Sequence, residues 1–462
     1  MCSGTWKALR GFSLAVLSVA AVAAAVAALP AAASASPSWS KPVTLGPTGR
    51  ERGTPAIAIA PDGEEIATWL GVPNEVEVRT RRPGRAWSPP VTIASTRQEV
   101  EGPRIATSAR KTVIVWSETI RTRLGEARVI MAATRLRGKK WSKPRNISAE
   151  KGRREEPRGE EPEVTMTPAG KAFVIWNGTD EDHLAIDYLK SVTQGAGGTS
   201  WTAPVGIRGS YEGEGPQIGA TAGGEAVAIW GASYNEESGI RVSSRPPNGP
   251  WKAGGNLGFP GPFPAPELAI TSKGEAVGAW VEEPENGSES AVRVATRPAG
   301  GKWKVKTLTL PGDYGSGPEI VTEPGGRATV VWIKIDSSEE SAVVASTHSP
   351  GAGWSKQVDL TAEGLPMPVG WDSRFAVTGD GERIAVWASE TSSEATAIRA
   401  SSKPRGGSWS QTDKVSTTPR APLGGEADLE LKLARSGEAL AVWRCFDGRE
   451  WVIKAATRPP AG

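Results

Sequence analysis

The sequence has little of what most catalytic and redox centres are made from. Its 462 residues include two cysteines and two histidines, His183 and His348. Cys2 lies in the N-terminal segment treated below, so Cys445 has no partner and no intramolecular disulfide is expected. Two histidines and one cysteine also fall short of the usual zinc ligand set. Neither an Asp-x-Asp-x-Asp loop nor a phosphate-cradling glycine loop occurs. The expectation is no metal and no cofactor. Cys445, far from either histidine in sequence, reads as a small packing residue and not as a nucleophile.

An excess of charge of one sign is missing too. Without Lys7 and Arg10, the 54 lysines and arginines become 52, against 51 aspartates and glutamates. A whole molecule so balanced offers no electrostatic footprint for nucleic acid. Helical patterning is absent beyond the first 35 residues: no segment keeps a 3.6-residue apolar period, and 37 prolines and 55 glycines interrupt the chain.

Long apolar runs are confined to the N-terminus. There Lys7 and Arg10 precede an uncharged stretch from Gly11 to Leu29, followed by "AAASAS". This is the layout of a secretory signal peptide cut after Ala35, the alternative being a retained anchor. The expected product is residues 36–462, secreted or extracellular, held at the cell surface or free, and without a membrane span after cleavage. A composition heavy in glycine, alanine, arginine and proline points to a bacterial chain.

Tryptophan, by contrast, is abundant, and it is periodic. One series, followed by Ser-x-Pro-Val or a relic of it, is Trp39, Trp87, Trp141, Trp201, Trp251, Trp303, Trp354 and Trp409. A second closes short apolar runs: Trp69, Trp116, Trp176, Trp230, Trp280, Trp332, Trp387 and Trp443. The two alternate without a break at a period of about 53 residues, the range of propellers and solenoids. Within the first period "PAIAIA", "EIATWL", "VEVRTR" and "WSPPVTI" read as four short strands separated by turn residues.

The second strand carries the architectural argument. "TVIVW", "AFVIW", "AVAIW" and "ATVVW" are apolar without alternation, so both faces must be buried. A four-stranded sheet achieves that when it lies between two like itself, as blades do around an axis. Residues two before each second-series tryptophan are mostly small, such as Ala67, Ala228, Gly278 and Ala441, leaving room for a neighbouring sheet beside the indole. At the ends, "SWSKPVTL" is a fourth strand without its first three, and "EWVIKAATRPPAG" is a third strand without its fourth. Together they complete one blade. The expected fold is all-β, a closed eight-bladed propeller of four-stranded antiparallel blades, over residues 36–462, with the N-terminal strand closing the ring.

The hairpins "RPAGGKW", "RPGRAWSPPVTI" and "GAGWSKQVDL" resemble the Asp-box, or BNR, repeats of sialidase-like propellers, although the aspartate of the box is replaced by proline or glycine chemistry in every unit. "APDGEEIATW" also looks like the turn of TolB-type propellers. Sialidases use an arginine triad, a tyrosine nucleophile with a glutamate partner, and an aspartate acid/base, and no local motif places those roles here. Eight-bladed quinoprotein dehydrogenases match in blade number, but their Ala-x-Asp and Thr-Gly docking motif is missing. The resemblance implies the fold more than an activity, and with no catalytic constellation in the sequence the expected protein is a non-catalytic, monomeric scaffold that binds a glycan or a surface protein. A glycoside hydrolase or lyase with an unrecognised site is the alternative.

Candidate ligand contacts are few. Trp371 and Asp372 lie in the long "EGLPMPVGWDS" connection, where an indole would make a stacking platform for a sugar. Tyr211, Tyr234 and Tyr314 are three of only four tyrosines and fall in connections that would open near the axis. A cation recurs six residues before most first-series tryptophans: Arg81, Arg135, Arg245, Arg297, His348 and Lys403, with Arg458 in the terminal copy. Lying beside the turn between third and fourth strands, it reads as a structural or solvated residue on the face away from the ligand. On the ligand face, second-to-third loops and fourth-to-first connections together hold 34 acids and 15 bases. A strongly polarised molecule would follow, with basic hairpins "RRPGR" and "RLRGKK" set towards an anionic wall or membrane.

Overall fold

A computed structural model describes residues 37–460 except 50–54, 124, 151–158, 181–182, 212, 233–238, 260–264, 284–289, 368–371, 393–394 and 420–427, with the side chains of 179–188, 208–211, 390–392, 395–396 and 418–419 also outside the description. Eight antiparallel sheets follow one another along the chain, each with its strands in sequence order from the inside outwards. The first blade is Ala56–Ile59, Glu65–Gly71, Glu75–Arg81 and Val91–Ser95. The eighth is Glu430–Leu433, Ala439–Phe446, Trp451–Arg458 and, returning from the other end of the chain, Val43–Pro47. The expected eight-bladed propeller is the observed one.

Two features close it. The outer strand Val43–Pro47 pairs with the third strand of the last blade, Val43 opposite Ala455 and Pro47 opposite Val452. Each innermost strand also lies against the innermost strand of the next blade, including Ala56–Ile59 against Glu430–Leu433. No blade is left with an unpartnered face.

The second strands behave as their composition requires. Every residue of Glu65–Gly71 and of Ala226–Ala232 is buried. All eight second-series tryptophans are at most 1% exposed, and each lies in the seam with the preceding blade. Trp69 packs on Leu440, Val442 and Ile453, Trp280 on Ile229, Ile240 and Val242, and Trp443 on Ile384, Val386 and Ile398. The small residue two positions earlier is a fitted one: a Cβ on Gly278 would sit 2.9 Å from Ile229 Cδ1. First-series tryptophans plug the outer ends of the same seams, with Trp251 and Trp409 buried and Trp87 and Trp141 half-buried.

The outer strands depart from the sequence reading. In the first blade the fourth strand begins at Val91 and not at Trp87, because Pro89 and Pro90 have no amide hydrogen to give a ladder. In the second it shrinks to Arg145–Asn146, and in the sixth it breaks into Gly353–Trp354 and Val358–Asp359. Among the described residues no helix is long and apolar enough to cross a membrane.

Candidate functional site

The inner strands converge on an axial cavity of about 1010 Å³. One residue from every blade holds an equivalent place in its wall: Ala56, Arg104, Glu163, Gln217, Glu267, Glu319, Arg374 and Glu430. Each is paired with the residue immediately before the buried tryptophan of its own second strand, for example Arg104 with Val115, Glu267 with Ala279 and Glu430 with Val442. Four carboxylates, two guanidiniums and one amide thus form a single ring.

A local device aims these side chains. In the second, third, fourth and sixth blades a bulge precedes the ring residue, between Glu101 and Arg104, Glu160 and Glu163, Glu214 and Gln217, and Ser316 and Glu319. The bulge contains a residue at positive φ followed by proline: Gly102 at 36°, Glu161 at 49°, Gly215 at 54° and Gly317 at 57°. Asp428, before Leu429 in the eighth blade, adopts 39°. Glycine takes this conformation without strain, but Glu161 and Asp428 do not, and backbone strain of this kind gathers at ligand sites. Both acids are anchored: Asn177 Nδ2 donates to Glu161 at 3.0 Å, and Arg444 Nε lies 2.6 Å from Asp428.

The charges in the ring are partly compensated. Arg104 Nε donates to Glu163 at 2.7 Å. Arg374 donates to Asp372 at 2.9 Å, and Asp372 in turn accepts the amide of Leu429 at 2.7 Å, tying the seventh blade to the eighth. Glu319 accepts the amide of Phe375 at 3.1 Å and, among the described residues, has no cation in direct contact. Desolvation within the channel pushes its carboxyl up to about 8 against the opposing pull of Arg374. The same cause raises Glu163 and Glu267, the latter exposed to the lumen yet enclosed by protein. At neutral pH Glu319 is therefore a carboxylic acid able to donate a hydrogen bond.

Of the residues singled out in the sequence, Asp372 lines the cavity, acting there as a brace between blades. Tyr314 is 41% exposed at the start of its inner strand, on the face where the channel opens. Tyr211 ends the outer strand of the third blade, its side chain outside the description, while Trp371 and Tyr234 lie outside the described residues. The sequence reading missed the ring itself. Its signal was present as a proline directly before the ring residue in six blades, from Pro55-Ala56 to Pro318-Glu319.

The recurrent cations stand on the other face, and most bind across blade seams, whereas Arg245 donates to the Gly249 carbonyl of its own hairpin at 3.0 Å. Arg135 meets Glu64 at 2.7 Å, Arg297 meets Glu225 at 2.7 Å, His348 lies 3.4 Å from Glu275, and Arg458 grips Glu382. Arg81 joins Glu65 of its own blade to Glu438 of the last. Their role is structural. On the channel side Arg128 is paired with Glu99, Glu101 and Glu160. Cys445 is 8% exposed in the seam behind Trp443, and burial pushes its thiol up to about 11. Among the described residues no group of three potential ligands could hold a metal.

No protein-family model matches the chain, and no curated protein matches it. Solved structures do, at a distance. The BP39L lectin from Burkholderia pseudomallei matches over 80% of this chain and 100% of its own, with 12% identity and a TM-score of 0.48. An α-L-arabinanase from Penicillium chrysogenum, complexed with arabinobiose, covers 91% and 98% with 12% identity and a TM-score of 0.40. The Hadza microbial sialidase Hz136 covers 67% and 66% with 13% identity and a TM-score of 0.40. Likeness this remote carries no argument about activity.

Proposed function

We propose that the protein is a secreted, non-catalytic propeller that binds a glycan at the mouth of its axial channel. The observation that carries this reading is the eight-position ring, in which carboxylates, guanidiniums and an amide from seven blades, with Ala56 from the first, face one cavity. Sugar hydroxyls both donate and accept, and a wall of mixed polar groups meets both needs. The pairing of Arg104 with Glu163 and of Arg374 with Asp372 turns these four groups into polar edges, which suits a polyhydroxylated ligand. Strain at Glu161 and Asp428 supports a site whose geometry is held for a ligand. The hairpins between third and fourth strands fit the reading of degenerate Asp-box turns, and export through the N-terminal segment belongs to the same proposal.

One observation favours a second reading. Glu319, protonated up to about pH 8 in a cavity shared with Glu267 and Glu430, meets the first requirement of a general acid for glycoside hydrolysis.

Glycan-array screening of residues 36–462, followed by calorimetric titration of the hits, tests both. Glu267→Ala should weaken binding about tenfold with an unchanged melting temperature, since this side chain is exposed to the lumen. Equal affinity in the variant, or no binding to any glycan, would overturn the channel site. Release of reducing ends that disappears in Glu319→Gln would replace the binding reading with the hydrolytic one.

A further inference from the structure

On the face opposite the channel mouth, the hairpins of the first two blades flank a cleft of about 110 Å³ lined by Glu64, Arg82, Lys111, Arg135, Arg137 and Lys139. Its one carboxylate is already saturated. Glu64 takes Arg135 through both oxygens, at 3.2 and 2.7 Å, and Arg137 at 3.0 Å. Arg137 also pairs with Asp62, and the Arg135 guanidinium lies over the Trp141 ring at 5.3 Å.

Lys111 adds a buried charge that no carboxylate among the described residues offsets. Its ammonium, 1% exposed, donates to Gln194 Oε1 and to the Gly195 carbonyl at 2.6 Å each, and to the Gly198 carbonyl at 3.3 Å. Neutral acceptors satisfy its hydrogens and leave its field in place, and burial pushes it down to about 8. The Arg82 and Lys139 side chains, both exposed, line the same cleft and make no hydrogen bond or ion pair with described residues.

We propose that this cleft binds the phosphate groups of an anionic polyol-phosphate polymer, with Arg82 and Lys139 supplying the free donors and Arg135 and Lys111 the fixed positive field. The cleft is of a size for one tetrahedral anion. Exposed Arg85, Arg110 and Lys140 continue the basic surface, so that phosphates further along a chain find cations too. Two features select against other polyanions. None of the exposed large apolar side chains lies in the turns of these two hairpins, Val91 standing further along the outer strand of the first blade, so the turns have nothing to insert into a bilayer. Trp87 and Trp141 are covered by Arg81 and Arg135, which leaves no stacking platform for nucleic-acid bases.

The experiment is a titration of residues 36–462 with poly(glycerol phosphate) at low ionic strength, followed by calorimetry. The expected result is binding that weakens as salt rises, competition by inorganic phosphate, and about a tenfold loss of affinity in Arg82→Ser/Lys139→Ser with the melting temperature unchanged. The exchange Arg82→Lys/Lys139→Arg should retain binding. Equal affinity in the Ser variant, failure of phosphate to compete, or tighter binding of single-stranded DNA or of phosphatidylglycerol vesicles would overturn the proposal. Glycan binding in the channel, measured on the same Ser variant, should be unaltered, which keeps the two sites separable.

Discussion

Arg458 and Glu382 meet fork to fork, Nη1 to Oε2 at 3.0 Å and Nη2 to Oε1 at 2.6 Å, with side chains 1% and 4% exposed. Arg458 Nε further donates to the Pro37 carbonyl and Nη2 to Ser402 Oγ, both at 3.1 Å. One buried guanidinium thus joins the seventh blade, the eighth blade and the first described residue of the chain. Truncating its partner leaves that charge uncompensated, so Glu382→Ala should cost about 3–5 kcal/mol. Replacing both by apolar residues, as in Glu382→Leu/Arg458→Met, should recover most of the loss. Guanidinium denaturation of the parent and both variants measures this.

Removal of residues 38–45 should lower the melting transition and promote aggregation. The segment covers the edge of Trp451–Arg458, with Ser40 N donating to the Thr457 carbonyl at 2.7 Å and Leu45 fully buried. Its loss exposes an unpaired strand edge and opens the ring. Scanning calorimetry and light scattering of the truncated chain beside residues 36–462 are the comparison, and coincident melting would show that the strand is dispensable.

Trp280→Ala should destabilise by about 3–5 kcal/mol, as truncations of buried aromatics do. Trp280 is 1% exposed and fills the seam against Ile229, Ile240 and Val242, leaving a cavity between two blades that cannot collapse independently. The denaturant midpoint is the measurement.

Gly46→Ala tests packing from the opposite direction. A Cβ there would come 2.8 Å from Cζ2 of Trp69, an indole that is 0% exposed and therefore unable to move aside. An overpacking cost of about 1–3 kcal/mol is expected from a single methyl group. A midpoint equal to the parent's would mean that the seam yields.

Stability should fall as pH rises from about 5 towards 8 through the Glu319 carboxyl. Its ordinary value of 4.5 is raised to about 8 in the folded protein, so the folded state binds the additional proton between those limits. The favourable contribution is complete below 4.5 and lost as pH climbs through 8. Glu319→Gln, which cannot ionise, should flatten this part of the profile, and melting temperatures of both proteins across that window would show it. Parallel curves would place the proton elsewhere, with Glu163 and Glu267, shifted in the same direction, the next to examine.

The tryptophan spacing, the unalternating second strands and the split terminal blade were sufficient for the sequence to determine an eight-bladed ring and its closure. These properties are local and repeated: a run such as "AVAIW" needs two apolar neighbours wherever it stands, and the next repeat supplies one of them. Where outer strands begin depended on particular prolines, Pro89 and Pro90 among them, and was only partly legible.

The site was another matter. Its ring residues are contributed one per repeat, and in sequence Glu163, Glu319 and Arg374 are charged residues of inner strands like many others. Closure of the ring places them around one cavity, and only within that cavity does Glu319 lose enough solvent to retain its proton. The cations beside the hairpins show the same division. Their recurrence was visible in the sequence, but that Arg458 grips Glu382 across a seam, while Arg82 and Lys139 lie free beside a saturated Glu64, follows from which blades are neighbours, a relationship set by tertiary packing.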